Sequence, residues 1–573
     1  MKRLFPYIKP YSWFIVLTLA IKFAATSLEL MIPNLMQTMI DEKVPEGRLT
    51  PIFVLGGLML LCALLAMGGN ILANRMSAIS AGKVTRKLRH DLFAKLENLS
   101  ARQMDELTVS SAVSRLTSDS YNFNQMLARI QRMGIRAPIL LVGGICMMLT
   151  KDWILALVLI SLLPFISLAV YTTTKKALPL RFRAQEHLDD MVQVSQENIT
   201  GIRVIKALSK TEHEKNRFDR VNTDLSATTL KADLYTIISN PITTILLNLG
   251  LTLVVLVGAY RVDSGAIKPG VIIAFLQYFN MILMATMGIT RIFIMWAKGE
   301  ASAQRIAQVL DTQPELTVCP AETAPEAAPA HIAFENVTFS YTGIGTNLED
   351  LSFRLEHGQT LGILGPTGSG KTTILNLLLR FYDPDSGRVL IDGQDIRTID
   401  HETLREKFGV VFQNDFITEG TIADNIRFFR PLDEAALEKA AQNAQAEFIR
   451  EKDGQMEATV AVRGNNLSGG QKQRLLIGRA LAADPEILIL DDASSALDYQ
   501  TDANLRRALR ENYRHTTTVM VAQRVSSLQH ADLILVLEDG KVIGAGKHAQ
   551  LMESCEEYRI IAETQMGEGK EGA

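Results

Sequence analysis

The chain has 573 residues, 47% of them hydrophobic and 21% charged, with a formal net charge of −3. That length accommodates several domains, and a charge so close to zero argues against a polyanion, so no nucleic-acid partner is expected. The four cysteines, Cys62, Cys146, Cys319 and Cys555, stand far apart without metal-ligand spacing, so free thiols are expected.

The apolar residues concentrate before about residue 300. A membrane-crossing helix needs roughly 20 mostly apolar residues, and residues 12–32, 51–71, 153–171, 235–260 and 271–295 qualify. A sixth stretch, 137–149, is short by itself. It is expected to extend back toward Met126, with Arg129, Arg132 and Arg136 facing protein or snorkelling to the surface. The basic first residues lead into a long apolar run without a small-residue cleavage site, so no cleavable signal peptide is expected. Lysine and arginine bias sets orientation. Lys2, Arg3 and Lys9, then Lys83, Arg86, Lys87, Arg89 and Lys95, then Lys175, Lys176, Arg181 and Arg183 mark the cytoplasmic segments. The expectation is a multi-pass protein of the cell inner or plasma membrane, in contact with the lipid bilayer, with both termini cytoplasmic.

Residues 74–127 and 172–233 alternate apolar and charged residues with few breakers, as extended amphipathic helices do. Polar interruptions near 108–119 and 209–216 mark their tips. Long helices outside a membrane need something to pack on, so the tips are candidates for docking on a soluble domain. Within the first span Lys22 and Glu29 lie two turns apart on one face. Ionisable groups inside a span are functional candidates, and pairing with each other or with a neighbouring helix is the first expectation. Met281, Met284 and Met287, with Asn280 and Thr286 among them, recur at helical spacing in the last span. Such a surface suits varied apolar ligands, and it suits ordinary helix packing equally well.

Residues 311–330 are rich in Pro, Ala and Glu, which reads as a linker. From His331 short β-rich runs alternate with helices, at 334–339, 360–364, 389–391, 410–412, 487–490, 518–522 and 533–537. That pattern is an α/β domain with a nucleotide at the strand ends. GPTGSGKT, at 365–372, follows one strand and opens a helix from about Lys371, matching the phosphate loop G-x-x-x-x-G-K-[ST]. Gly365, Gly368 and Gly370 permit the tight turn that brings N–H groups against phosphate oxygens. Thr367, Ser369 and Thr373 complete the phosphate side, and the helix N-terminus adds partial positive charge. Lys371 reaches the β and γ phosphates, and the Thr372 hydroxyl ligates Mg²⁺. ILILD, at 487–491, is an apolar strand ending in a carboxylate, suited to aim Asp491 at the Mg²⁺ shell, with Asp492 next. LSGGQ, at 467–471, reads as a second anion-binding corner made by Ser468, Gly469, Gly470 and Gln471. With no second phosphate loop for it to face, a partner chain across a dimer interface is the simplest resolution.

These motifs, in this order, together with Gln413 in VFQN and SALD at 495–498, resemble an ABC exporter half-transporter over essentially the whole length. The closest likeness is to the degenerate-site subunit of a bacterial heterodimeric multidrug-type exporter. The resemblance implies an α-helical transmembrane domain over residues 1–310, with six spans and long cytoplasmic helical extensions whose tips act as coupling helices. It implies an α/β P-loop ATPase domain with a helical subdomain over 331–573, ATP and Mg²⁺ as cofactors, and outward transport of hydrophobic or amphipathic small molecules. Tyr341 would stack on adenine. Gln413 would sense Mg²⁺ or water beside Thr372 and Asp491, and residues 495–498 would cross to the other site of a dimer.

Two departures matter more than the matches. The family places Glu after the strand aspartate and His at a later switch position, where this chain has Asp492 and Gln523. Aspartate is shorter by one methylene, about 1.5 Å, and glutamine carries neither a charge nor a transferable proton. Val462 also stands where an acidic residue often precedes Arg463 and Gly464. The expectation is that this chain's own phosphate loop forms a degenerate site that binds ATP but hydrolyses it poorly. Its intact LSGGQ would complete the competent site of a second, non-identical half-transporter. A lipid or peptide exporter subunit, or a mainly regulatory ATP-binding subunit, is the alternative.

Overall fold

Long apolar stretches that cannot satisfy their backbone in lipid except as helices set the first half of the molecule. The computed structural model describes residues 2–320, 330–414 and 416–567. They form two compact units, one of residues up to Lys95 with Ser110–Thr312, the other of Leu96–Val109 with the chain from Gln313 onward.

The first unit is helical. Its long elements are Ser12–Thr38, Leu49–Glu97, Trp153–Thr200, Thr211–Asp263 and Pro269–Asp311, with a run of shorter helical segments between Val109 and Lys151. Among the described residues, Phe5–Lys43, Leu49–Glu97, Val109–Lys151, Thr244–Asp263 and Pro269–Thr286 are long and apolar enough to cross a membrane. Trp153–Leu162 is a shorter apolar stretch. The expected weak span therefore belongs to a long helical run. That run contains π-helical turns at Arg115–Asp119 and Ile139–Gly143, the second directly after Pro138.

The last long helix supplies much of the core, with Phe275, Tyr278, Phe279 and Ile282 buried among Leu140, Met148, Leu155 and Leu159. Its N-terminus has no side-chain cap from Lys268. Instead Asp41, buried at the end of the first long helix, accepts the Gly270 N–H at 2.6 Å. A Cβ on Gly270 would lie within 2.9 Å of that carboxylate, so only glycine fits. Asp152 works the same way, accepting the Leu155 N–H at 2.9 Å while pairing with Arg261 at 2.5 Å.

Each amphipathic segment carries a short helix just ahead of the residues expected at its tip. The first break lies around residue 100, where Ser100 and Gln103 form a capping box that starts the short helix Ala101–Leu107, and Thr108 ends it at φ 64°. The second short helix is Ile202–Ala207, ahead of 209–216. Both short helices, ARQMDEL and IRVIKA, keep the mixture of apolar and charged residues of the segments around them, so sequence patterning does not set them apart.

Among the described residues the second unit holds twelve strands. These are β1 (Ile332–Phe339), β2 (Leu348–Leu355), β3 (Thr360–Leu364), β4 (Ser386–Ile391), β5 (Gln394–Asp395), β6 (Phe408–Val411), β7 (Gly420–Thr421), β8 (Thr459–Val460), β9 (Ile487–Asp491), β10 (Thr517–Val521), β11 (Leu533–Glu538) and β12 (Lys541–Gly546). The central sheet runs β12-β11-β3-β10-β9-β6, parallel except for β12, and a second, antiparallel sheet runs β2-β1-β4-β5. Alternate residues of β9 enter two cores. Ile487 and Ile489 join the core shared with the antiparallel sheet and the helix Lys371–Leu378. Leu488 and Leu490 join Ile422, Ile426, Leu437 and Leu475 of a helical subdomain. A strand buried on both faces must be apolar throughout, which accounts for the unbroken ILIL.

The short helix Ala101–Leu107 belongs to this unit. Ser100 donates to Glu315 at 2.5 Å, Gln103 to the Gln313 carbonyl at 2.7 Å, and the Tyr382 hydroxyl to Asp105 at 2.6 Å. The first part of the expected linker is likewise held. The fully buried Arg380 donates to the Thr317 carbonyl at 2.7 Å, and the Cys319 N–H to the Arg397 carbonyl at 2.8 Å. Residues 321–329 of that linker lie outside the described residues. All four cysteines are free.

Replacing Gly270 by alanine forces the Asp41 carboxylate off the helix end, a loss of about 1–3 kcal/mol. A thermal melt of the detergent-solubilised protein should show a midpoint several degrees lower, and an unchanged midpoint would contradict the cap.

Candidate nucleotide site

β3, β10 and β9 lie side by side in register, Ile363 and Asp491 both opposite Val521, so their C-terminal ends come level at one edge of the sheet. Everything that follows these strands is thereby brought together. A cavity of about 330 Å³ opens there.

The loop after β3 turns on glycines with φ of +89° at Gly368 and +102° at Gly370, a region costly for residues with a Cβ. Gly370 is also the N-cap of the helix Lys371–Leu378 and carries no side-chain acceptor, which leaves the first-turn N–H groups uncapped. Thr367, Gly368, Gly370, Lys371, Thr372 and Thr373 line the cavity. Gly365 and Ser369 stand behind them. The Gly365 carbonyl accepts from Lys371 at 2.9 Å, as the Pro366 carbonyl does at 2.7 Å. Ser369 is buried, and its hydroxyl makes no hydrogen bond among the described residues.

Asp491 and Asp492 face this loop across the cavity. Burial pushes the Asp491 carboxyl above its ordinary value, Asp492 adds to the effect, and Lys371 opposes it. Burial also raises Asp492, against Arg524, Lys371 and a hydrogen bond from Gln523. Burial lowers Lys371, against the two carboxylates. Two acids and one cation in partial desolvation form a site organised for a polyanion accompanied by a divalent ion. The uncapped N–H groups, the Lys371 ammonium, the Thr372 hydroxyl and the unpartnered Ser369 hydroxyl all fit Mg-nucleotide.

Tyr341 lies at the far end of the cavity. Phe339 and Tyr382 stand nearly perpendicular to its ring, with centroids 4.8 and 5.0 Å away. Asn376 holds its hydroxyl at 2.9 Å. Gln413 also lines the cavity, and the Gln523 amide donates to Asp492 at 3.0 Å. Sequence reasoning missed Asn347 and Val521 in the lining, and Gln473 behind it. Gln473 donates to the Asp492 carbonyl at 3.1 Å and accepts the Ala496 N–H at 2.9 Å. Its place in KQR directly after LSGGQ was the available signal.

Ser468, Gly469, Gly470 and Gln471 do not line this cavity. Ser468 and Gln471 form a reciprocal cap at the start of the helix Gly469–Leu481, with Ser468 and Gly469 exposed. In the helical unit, Glu29 pairs with Arg136 at 3.1 Å, and Lys22 donates to Asn70 and Asn74 at 2.6 and 3.2 Å. Asn70 in turn donates to Glu29 at 2.7 Å, so Lys22 and Glu29 are joined through an amide and each has a helix neighbour. Met284 is exposed and Met281 half-buried, while the Met287 side chain lies outside the described residues.

Family models described as the ABC transporter transmembrane region and as ABC transporter match residues 14–287 and 348–495. The uncharacterized ABC transporter ATP-binding protein YfiB of Bacillus subtilis is 33% identical over 577 residues, covering 100% of both chains. The chain belongs to the ABC transporter family. Another ABC transporter, the fatty acid ABC transporter ATP-binding/permease protein of Mycobacterium bovis, is 32% identical over 482 residues, 83% of this chain and 76% of that one. The solved structure of a bacterial Atm1-family ABC exporter with ATP bound shares the fold, with a TM-score of 0.80, 24% identity and coverage of 98% and 99% of the two chains. This ABC transporter is thus a membrane protein with a helical transmembrane domain followed by an ATPase domain, and it couples ATP to transport.

Replacing Lys371 by alanine removes a charge-assisted contact worth about 1.5–3 kcal/mol. Titration of the purified chain with a fluorescent ATP analogue should then show affinity weakened about 10- to 100-fold, and unchanged affinity would place the nucleotide elsewhere.

Proposed function

We propose that this chain is the degenerate-site half of a heterodimeric exporter, moving hydrophobic or amphipathic small molecules outward. The supporting observation is the pair Asp492 and Gln523. The position after the strand aspartate is short by a methylene, and its carboxylate accepts from a neutral amide where the family has histidine. A general base must come within hydrogen-bond reach of the water it activates and carry a matched proton affinity. Here the carboxylate is drawn back and engaged by the amide.

In this reading the chain's own loop, N–H groups and Lys371 hold the triphosphate, Tyr341 stacks on the adenine, and Thr372, Gln413 and Asp491 surround the metal. Bound Mg²⁺ supplies charge neutralisation at the β and γ phosphates. Ser468, Gly469, Gly470 and Gln471 present their exposed corner to nucleotide in the partner's loop, and the partner supplies the glutamate and histidine. Two copies of this chain alone would carry two weak sites. The helices Ala101–Leu107 and Ile202–Ala207 serve as coupling helices, residues 1–310 form the transmembrane domain, and both termini are cytoplasmic.

The purified chain alone should hydrolyse ATP far more slowly than the complex with its partner. In that complex, the double substitution Asp492→Glu with Gln523→His should raise turnover. Brisk hydrolysis by the isolated chain would end the heterodimer reading, and no response to the double substitution would end the assignment of the defect.

A lipid-like cargo is the second reading, supported by the relative named as a fatty acid transporter. The pairing of Glu29 with Arg136 supports it too, because it leaves that carboxylate engaged rather than free to attract a cation. Glu29→Gln should leave export of a cationic dye from vesicles unchanged under this reading, and impaired export would show that the carboxylate attracts cationic cargo.

A further inference from the structure

Away from the nucleotide cavity, His331, His357 and Asp392 bring ligand-capable atoms within 4.8 Å of one another. Three separate places in the chain supply them: the residue before β1, the turn between β2 and β3, and the turn between β4 and β5. Two of the positions are fixed by the sheet. Ile332 pairs with Ile391, and the Asp392 N–H donates to the His331 carbonyl at 3.0 Å.

His331 is fully buried, at 0% exposure. Its Nδ1 lies 2.6 Å from the Thr517 hydroxyl, which also accepts the Gly358 N–H at 3.0 Å. Its Nε2 is buried and makes no hydrogen bond among the described residues. A buried ring nitrogen without a partner has lost its hydration and gained nothing in exchange. Beside it the half-exposed His357 stacks at 3.9 Å, 9° from parallel, with its Nε2 3.0 Å from an Asp392 oxygen. Lys407 lies 3.4 Å from the other Asp392 oxygen.

We propose that His331, His357 and Asp392 form a site for one divalent transition-metal ion of the zinc class. Two imidazoles and one carboxylate, with water completing the shell, are a donor set that zinc takes. Magnesium and calcium prefer oxygen ligands throughout. Thr517 engages His331 Nδ1 and so leaves Nε2 to bind, the outer-shell arrangement usual for ligating histidines. The ion takes the place between His357 and Asp392 now spanned by their 3.0 Å contact. Parallel rings cannot direct both lone pairs at one ion, so loading requires His357 to turn out of the stack. Its side chain is 60% exposed and sits in a turn, so that rotation displaces no core. The loaded site ties three strand ends of the ATPase unit together. None of its ligands lines the nucleotide cavity, so it acts on the stability of this unit rather than on phosphate chemistry.

The test uses the full-length protein without a polyhistidine tag, stripped with chelator and titrated with Co²⁺ in the presence of saturating Mg-nucleotide. One Co²⁺ per chain should bind with visible absorption of a low-coordinate site, Zn²⁺ should displace it, and Zn²⁺ should raise the melting midpoint. His357→Ala, an exposed position that spares the fold, should weaken binding about tenfold or more and abolish the shift in midpoint. Asp392→Asn should do the same. Absence of saturable binding, or equal affinity and stoichiometry in wild type and both variants, would overturn the proposal.

Discussion

A strand sealed on both faces can put charge only at its end. β9 sends Ile487 and Ile489 into one core and Leu488 and Leu490 into another, so its first polar side chain is Asp491, at the sheet edge. The in-register neighbours β10 and β3 end at the same level, and the glycine-rich loop leaves β3 there. Partial burial makes the acidic pair costly unless a cation faces it, and Lys371, at the start of the helix after that loop, is that cation. The position of the cavity follows from two cores competing for one strand.

The same constraint fixes Asp492. Its backbone turns at φ +51°, which aspartate tolerates better than most residues. Its N–H donates to the Val521 carbonyl at 3.0 Å, and its carbonyl accepts from Gln473. With both backbone groups held, the main chain has little freedom to advance and recover the reach lost with one methylene. The short side chain and the Gln523 amide are matched to each other, as the 3.0 Å contact between them shows.

Much of this was legible in the sequence, and the failures have causes. The phosphate loop and the β9 run combine composition with order and meet at one cavity as their patterns demanded, and LSGGQ opens the helix Gly469–Leu481. β2 was missed because LEDLSFRL carries charges on its exposed face, and β12 because KVIGAG is a glycine-containing edge strand. The short helix Ala101–Leu107 was not set apart because a capping box at Ser100 and Gln103 is a weaker signal than the run of serines and threonines after it. Asn347 entered the cavity through the loop after β1, where its side chain accepts the Tyr341 N–H at 3.1 Å. The partners of Glu29 and Lys22 come from other helices, which a single-helix face could not name.

The contact between Gln523 and Asp492 has a further consequence. A histidine at that place changes charge between about pH 5 and 8, so its donor geometry drifts with the acidity of the compartment. The amide of Gln523 keeps the same two protons over that whole interval. An acid load that would change the charge of a histidine at this place leaves the protonation of the Gln523 side chain as it was.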